Sequence, residues 1–274
     1  KKNNGTGTHF MWENRDIRYN VLRAVGYYKG KAVAEDILVL NGLEQAPHFG
    51  ILYQDTKPLL KGEDGYNYLY RINCGGDDFT DSFGQLWMQD NTNYSRSWAA
   101  SFNELNPYLA SQRTTNDPIR GSRDWKLFQY FRFGRHQLEY NFPVADGMYR
   151  IEFYFTEPWH GTGGSASADC EGLRIFDVAV NDSVVLDDLD IWAESGHDGA
   201  CKKVVYAIVK GGLLKIHFPE VKAGQALISG IAIASANSDS KPTLFPASDW
   251  NWEKASKEVM EKTPKELLPE DKNA

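Results

Sequence analysis

The chain of 274 residues reads as an all-β protein, an antiparallel β-sandwich of jelly-roll type. Three observations predict this. From residue 137 to 234, apolar and polar residues alternate in short runs separated by Asn-Asp, Lys-Gly-Gly and Ala-Gly turns, the period-two signature of half-buried strands. Tyr, Phe, Val, Ile and Gly are plentiful and helix formers do not dominate, which favours pleated surfaces and turns. No strand–helix–strand rhythm is present, which disfavours a parallel α/β enzyme fold.

Taken in order, His9-Phe-Met-Trp12 reads as a strand. Tyr19–Tyr28 and Ala32–Leu40 flank the turn Lys29-Gly30-Lys31, a hairpin signal. A lone hairpin is marginal in water, so residues 1–48 are expected to be part of a domain begun upstream. Residues 49–63 read as a linker. A second domain, 64–236, opens with the strand Tyr68–Asn73 and a turn at Cys74-Gly-Gly-Asp77, where paired glycines supply positive φ. Residues 78–125 read as a long irregular loop carrying Trp87, Tyr94, Trp98, Phe102, Tyr108 and Trp125. Such loops inside compact domains carry function. Strands follow at 124–133, 137–142, 148–155, 173–181, 183–189, 203–209, 212–218 and 226–234. Residues 237–274 are read as a linker, a short helix from Ser248 or Asp249 to about Lys262, and a tail.

Composition excludes several functions. The net charge of −7, with no basic stripe, opposes binding to nucleic acid. No apolar run approaches the ~20 residues that cross a bilayer. Lys1-Lys-Asn-Asn-Gly-Thr-Gly-Thr8 has no apolar core behind it and does not read as a signal peptide; if the parent protein is exported, its signal is expected upstream. Cys74, Cys170 and Cys201 form no metal-spaced set; a Cys170–Cys201 bridge would close a loop, and three buried or idle thiols are the simpler reading.

The candidate binding feature is Trp159-His160, set between the strand Tyr149–Phe155 and the break Gly161-Thr-Gly-Gly-Ser165. An indole beside a flexible loop can offer its face to the C–H face of a sugar ring. Trp87, in the spacing Gly84-x-x-Trp87-x-x-Asp90, reads as packed. Glu157, Asp169, Asp187, Asp188, Asp190 and Glu194 show no pairing that assigns a hydrolytic dyad. Asp187–Asp198 gathers oxygens suited to a hard cation but lacks EF-hand spacing. His136, His160, His197 and His217 show no local zinc spacing. Neither a metal site nor a cofactor is expected.

Ile72-Asn-Cys-Gly-Gly76, Phe155-Thr-Glu-Pro-Trp159, Arg174-Ile-Phe-Asp-Val178, Asp188-Leu-Asp-Ile191 with Gly196-His197, Gly212-Leu-Leu-Lys-Ile216 and Ile228-Ser-Gly-Ile-Ala-Ile233 stand in one order. That ordered set, over roughly residues 66–236, resembles malectin and the malectin-like carbohydrate-binding modules of family 57. The resemblance implies a sandwich that binds oligosaccharide or polysaccharide without cleaving it. Carried over by position, it implies ligand contacts from Trp159 and His160, from Phe133, and from Tyr94 or Trp98. The family's acidic contact near the last turn has no counterpart in Val221-Lys-Ala-Gly-Gln225, and His160 stands where the family has an aromatic ring. Phe10-x-Trp12, Leu22-x-Ala24-Val25 and Gly30-Lys31-x-Val33-Ala34 resemble the late strands of immunoglobulin-like domains in glycoside hydrolase family 2. This implies a β-galactosidase-like parent enzyme, extracytoplasmic, whose catalytic domains would be partners. The alternative is a structural module that packs against that parent without binding glycan.

Overall fold

The computed structural model describes residues 15–40, 42–90, 111–135, 138–161 and 169–243. The expected strand at His9–Trp12, the loop residues Tyr94 and Trp98, His136 and the expected helix after Ser248 lie outside them. In chain order the strands are β1 (Val21–Tyr28), β2 (Lys31–Val39), β3 (Asn67–Asn73), β4 (Phe79–Thr80), β5 (Leu86–Gln89), β6 (Ser111–Thr114), β7 (Tyr130–Gly134) and β8 (Glu139–Pro143). They continue with β9 (Gly147–Phe155), β10 (Ile175–Val180), β11 (Ser183–Leu189), β12 (Cys201–Val209), β13 (Leu213–His217), β14 (Val221–Ala223), β15 (Ala226–Ile228) and β16 (Gly230–Ser235). Two one-turn helices, α1 (Trp125–Gln129) and α2 (Ile191–Ser195), and a 3-10 segment at Pro47–Tyr53 interrupt them.

The fold is the expected all-β sandwich. One sheet has the order β12-β9-β16-β3-β5-β4; the other runs β11-β10-β13-β8, with β14 beside β10. A smaller sheet, β15-β7-β6, adjoins them. Pairing is antiparallel except between β3 and β5. The main core fills the space between the sheets: Ile72, Ile151, Phe153, Phe155, Ile231 and Ile233 face Phe142, Phe176, Val178, Leu214 and Ile216. The other side of the first sheet is covered as well. There Trp87, Tyr154 and Ala232 pack with Leu60, Ile119, Trp125, Leu127 and Phe128. From Tyr149 to Phe155 β9 is therefore buried on both faces.

The structure corrects three readings. Residues 124–133 are not one strand: Trp125–Gln129 turns as α1 before β7 begins. Trp125 stacks on Tyr53 with centroids 4.5 Å apart, while Leu127 and Phe128 are fully buried. Packing, not local preference, makes the helix, since one isolated turn is unstable in water. Residues 78–125 are not wholly irregular, because β4, β5 and β6 lie within them. Residues 226–234 form two strands in different sheets. The Ser229 amide donates to the Tyr154 carbonyl at 2.9 Å, and a Cβ at Gly230 would come within 2.7 Å of Leu127 Cδ1. The chain can cross between sheets there because Gly230 has no side chain.

Trp87 is packed as expected, fully buried with its indole N–H donating to Asp81 at 2.9 Å. The hairpin β1–β2 forms as read, with Lys29 and Gly30 both at positive φ. Its end docks on the sandwich, where the Val39 amide donates to the Asn116 carbonyl.

The first sheet carries a buried ionic cluster on its covered side. Glu152, 1% exposed, accepts from Tyr68 at 2.8 Å and Tyr154 at 2.5 Å, and pairs with Lys202 and Arg150, each at 2.9 Å. Burial alone would raise the pKa of Glu152, but Lys202 and the two phenols hold it below the usual 4.5. A carboxylate depressed in this way contributes stability above its unfolded value and loses it as pH falls through the folded value. Thermal melts should therefore show falling stability once the pH drops below about 4.5, with a shallower acid limb in Glu152→Gln.

Candidate functional site

Immediately after β9 the chain reads Thr156-Glu-Pro-Trp-His-Gly161. Glu157 is fully buried, and its Oε1 accepts the backbone N–H groups of both Trp159 and His160 at 3.0 Å. Two amides converging on one carboxylate fold the segment into a tight turn. Arg174, at the entry to β10, clamps the same carboxylate with two donors, Nε to Oε2 at 2.5 Å and Nη2 to Oε1 at 3.2 Å. Its remaining arm, Nη1, donates to the Gln225 carbonyl at 2.6 Å. One buried guanidinium thus ties the turn after β9 to the start of β10 and to the turn before β15.

Burial opposes ionisation of Glu157, yet Arg174 and the two amides bring its pKa below 4.5. A carboxylate held ionised and fully bonded cannot donate a proton to a glycosidic oxygen, the task that needs a raised pKa. Its chemistry is structural.

A second set of bonds fixes the far side of the turn. The Asp198 amide donates to the Glu157 carbonyl at 2.9 Å, forming a parallel bridge between Glu157 and His197. His197 Nδ1 lies 3.1 Å from that carbonyl, and Nε2 lies 2.9 Å from Asp198 Oδ2. Burial lowers the basicity of His197, but the Asp198 contact outweighs it and leaves the pKa above 6.5. Gly161 adopts φ +95, and a Cβ there would sit 3.0 Å from His197 Cβ and 3.2 Å from Trp192 Nε1. The turn closes this tightly only with glycine at its end.

The consequence is presentation. The backbone of Trp159 is fastened to a buried carboxylate while its side chain remains outside, with 73% of the residue exposed. His160 follows on the same turn, its amide held by Glu157 and the residue partly exposed. Phe133 is half-buried: it packs against the main core, with its ring 6.3 Å from Phe131 and its backbone opposite Leu227. It connects to the turn through β15, since Leu227 lies two residues past Gln225, the residue whose carbonyl takes Arg174. Tyr94 and Trp98 belong to residues outside the described set, which resumes at Ser111 in β6, paired with Phe133.

Reasoning from sequence missed the Glu157–Arg174 clamp and the His197–Asp198 contact with the turn. The signal was partial: Glu157 and Arg174 each stand inside apolar runs, where a charge needs a partner. Asp187 and Asp188 are exposed, as expected at a strand end, whereas Asp190 caps α2 by accepting from Ala193 at 3.0 Å. All three cysteines are buried and free. Among the described residues no helix is long and apolar enough to cross a membrane.

Comparison with known proteins adds a family to this geometry. The family described as Malectin domain matches residues 68–237. Malectin from Danio rerio is 26% identical over 150 residues, covering 54% of this chain and 47% of the relative. Malectin-B from Xenopus laevis is 24% identical, covering 54% and 48%. The chain thus spans about half the length of the curated relatives it matches. Among solved structures, a beta-glucuronidase of Bacteroides uniformis aligns with TM-score 0.50 and 25% identity, over 78% of this chain and 22% of that one. The plant receptor-like kinase FER aligns with TM-score 0.50 at 13% identity over 69% of this chain and 57% of that one, a likeness of fold alone.

Proposed function

The chain belongs to the malectin-domain family, and from that premise we propose that it is a non-catalytic carbohydrate-binding module whose ligand platform is Trp159. The observation that carries the reading is the contrast on one turn: an exposed indole whose own backbone amide is anchored to a fully buried, Arg-clamped carboxylate. An aromatic platform fixed before the ligand arrives avoids part of the ordering cost of binding. His160 on the same turn supplies a polar edge for sugar hydroxyls, and Phe133 with Tyr94 or Trp98 completes the aromatic contacts.

The proposal extends to context. We infer a module of a larger glycoside hydrolase acting outside the cytoplasm, which it tethers to glycan; the alignment with one fifth of a bacterial beta-glucuronidase supports this. The division into a partial immunoglobulin-like segment (1–48), a linker and the sandwich is part of the same proposal. A second reading, a module that packs against its parent enzyme, is favoured by one observation. Val204, Tyr206 and Ile208 on the edge strand β12, with Met148 opposite Ile208, are exposed.

The two readings separate on Trp159→Ala. Screening the chain on a glycan array, followed by calorimetry on the best ligand, should show weak binding. The variant should lose about tenfold in affinity, since stacking on one ring is worth on the order of 1 kcal/mol beyond the area it buries. Its melting curve, recorded alongside, should show that the variant is folded, so that the lost affinity reads as lost binding. Glycan affinity equal in both proteins removes Trp159 from the site, and no binding to any glycan favours the packing reading.

A further inference from the structure

We propose that Asp117, His197 and Asp198 form a binding site for a divalent cation of the zinc type, next to the bridge that holds the Trp159 turn. One ligand atom from each residue lies within 4.8 Å of the other two. They come from two parts of the chain: Asp117 precedes α1, and the adjacent His197 and Asp198 follow α2.

The hydrogen bonds of His197 define the chemistry. A backbone carbonyl only accepts, so the contact of Nδ1 with the Glu157 carbonyl places a proton on Nδ1. Nε2 then faces Asp198 Oδ2 at 2.9 Å. In a neutral imidazole both of those atoms are acceptors, so the pair needs a proton between them, on the ring or on the carboxyl, or a metal ion that sets them slightly further apart. Orientation of one ring nitrogen by a backbone carbonyl, leaving the other to bind, is how metal-ligating histidines are positioned.

Two observations favour the metal ion. Asp198 is only 8% exposed, and its Oδ1 is buried with no hydrogen-bond partner among the described residues. Buried carboxylate oxygens rarely go unsatisfied, and here the oxygen belongs to a group that faces two other ligands. In addition, Asp117 brings a second carboxylate, with Thr115 Oγ1 donating to its Oδ2 at 2.9 Å. A proton on His197 compensates one of two negative charges, whereas a divalent cation compensates both. One imidazole and two carboxylates suit Zn²⁺ with water in the remaining position, whereas Ca²⁺ prefers six to eight oxygens. A bound ion would cross-link Asp117 to the strand bridge at Glu157 and His197, so it would brace the turn without touching a ligand.

The test uses the full chain, stripped with chelator and dialysed. ZnCl₂ is titrated by calorimetry and by competition with a chromogenic chelator, and melting temperature is recorded with and without zinc. One zinc per chain should bind and raise the melting temperature, while CaCl₂ at the same concentration should not. Asp117→Asn and His197→Gln should each weaken zinc binding at least tenfold and remove the thermal shift, with metal-free melting confirming that both fold. Should His197→Gln fail to fold, Asp117→Asn, at a half-buried position, and Asp198→Asn carry the comparison. Absent zinc binding, or binding equal in wild type and variants, overturns the proposal. Glycan affinity is measured separately, so failure of this site leaves the Trp159 reading standing, and the reverse.

Discussion

Replacing Arg174 with Met should destabilise the chain by about 3–5 kcal/mol and remove whatever ligand affinity the Trp159 turn confers. The reason is the state in which the change leaves Glu157. That carboxylate is fully buried, and Arg174 is the cation that compensates it, with two donors on it and a third on the Gln225 carbonyl. Without the guanidinium, Glu157 must either remain charged in an apolar setting or take up a proton, and a protonated acid is a poorer acceptor for the amides of Trp159 and His160. Melting temperature should fall by on the order of 10 °C for a domain of this size. The double variant Arg174→Met with Glu157→Gln should recover part of the loss, because breaking a buried pair costs more than replacing both members. A single variant melting within about a degree of the wild type would mean that the clamp does not hold the turn.

Asp90→Ala is expected to have a comparable effect on stability by a different route. Asp90 follows β5 and is the last described residue before the segment containing Tyr94 and Trp98. It pairs with Arg132 of β7, with Nη2 3.0 Å from Oδ1 and Nε on Oδ2, and accepts from Tyr140 of β8 at 2.8 Å. Both members of the ion pair are almost completely buried. Removing the carboxylate breaks this buried pair and takes away the acceptor of the Tyr140 hydroxyl, again about 3–5 kcal/mol. Because Asp90 joins β5 to two other sheets at the root of the 91–110 segment, glycan affinity should weaken in this variant even though Asp90 touches no ligand. Chemical denaturation with a binding titration on the folded fraction separates the two losses.

The sandwich was legible because most of its strands announce themselves. Alternation in 148–155, 183–189 and 203–209, broken by glycine turns, leaves little choice of element. The elements that sequence misplaced are those made by packing. Trp125-Lys-Leu-Phe-Gln129 has the look of a strand, and becomes a helical turn because Trp125 stacks on Tyr53 while Leu127 and Phe128 cover the outer face of the first sheet. The break between β15 and β16 falls at Ser229-Gly230, two residues in an otherwise apolar run, where the Ser229 amide turns to Tyr154 and Gly230 lies against Leu127.

The candidate site was legible in a similar proportion. Trp159 stands out because it follows a strand and precedes glycines. Its supports do not: Glu157 and Arg174 are separated by 17 residues, and Asp117 is far from His197 in sequence. Their spacing carries no motif, and only the crossing of strands brings them together. The same applies to Asp90 and Arg132, 42 residues apart.

The most direct measurement of the central claim is a two-dimensional NMR titration that follows the indole N–H resonances as the glycan selected by array screening is added. If Trp159 is the platform, its indole signal moves saturably with the ligand, together with the backbone amides of Trp159 and His160, while those of buried Trp87 and Trp125 stay in place. A saturable shift that leaves the Trp159 indole unmoved, with perturbations on another face of the sandwich, would contradict the account.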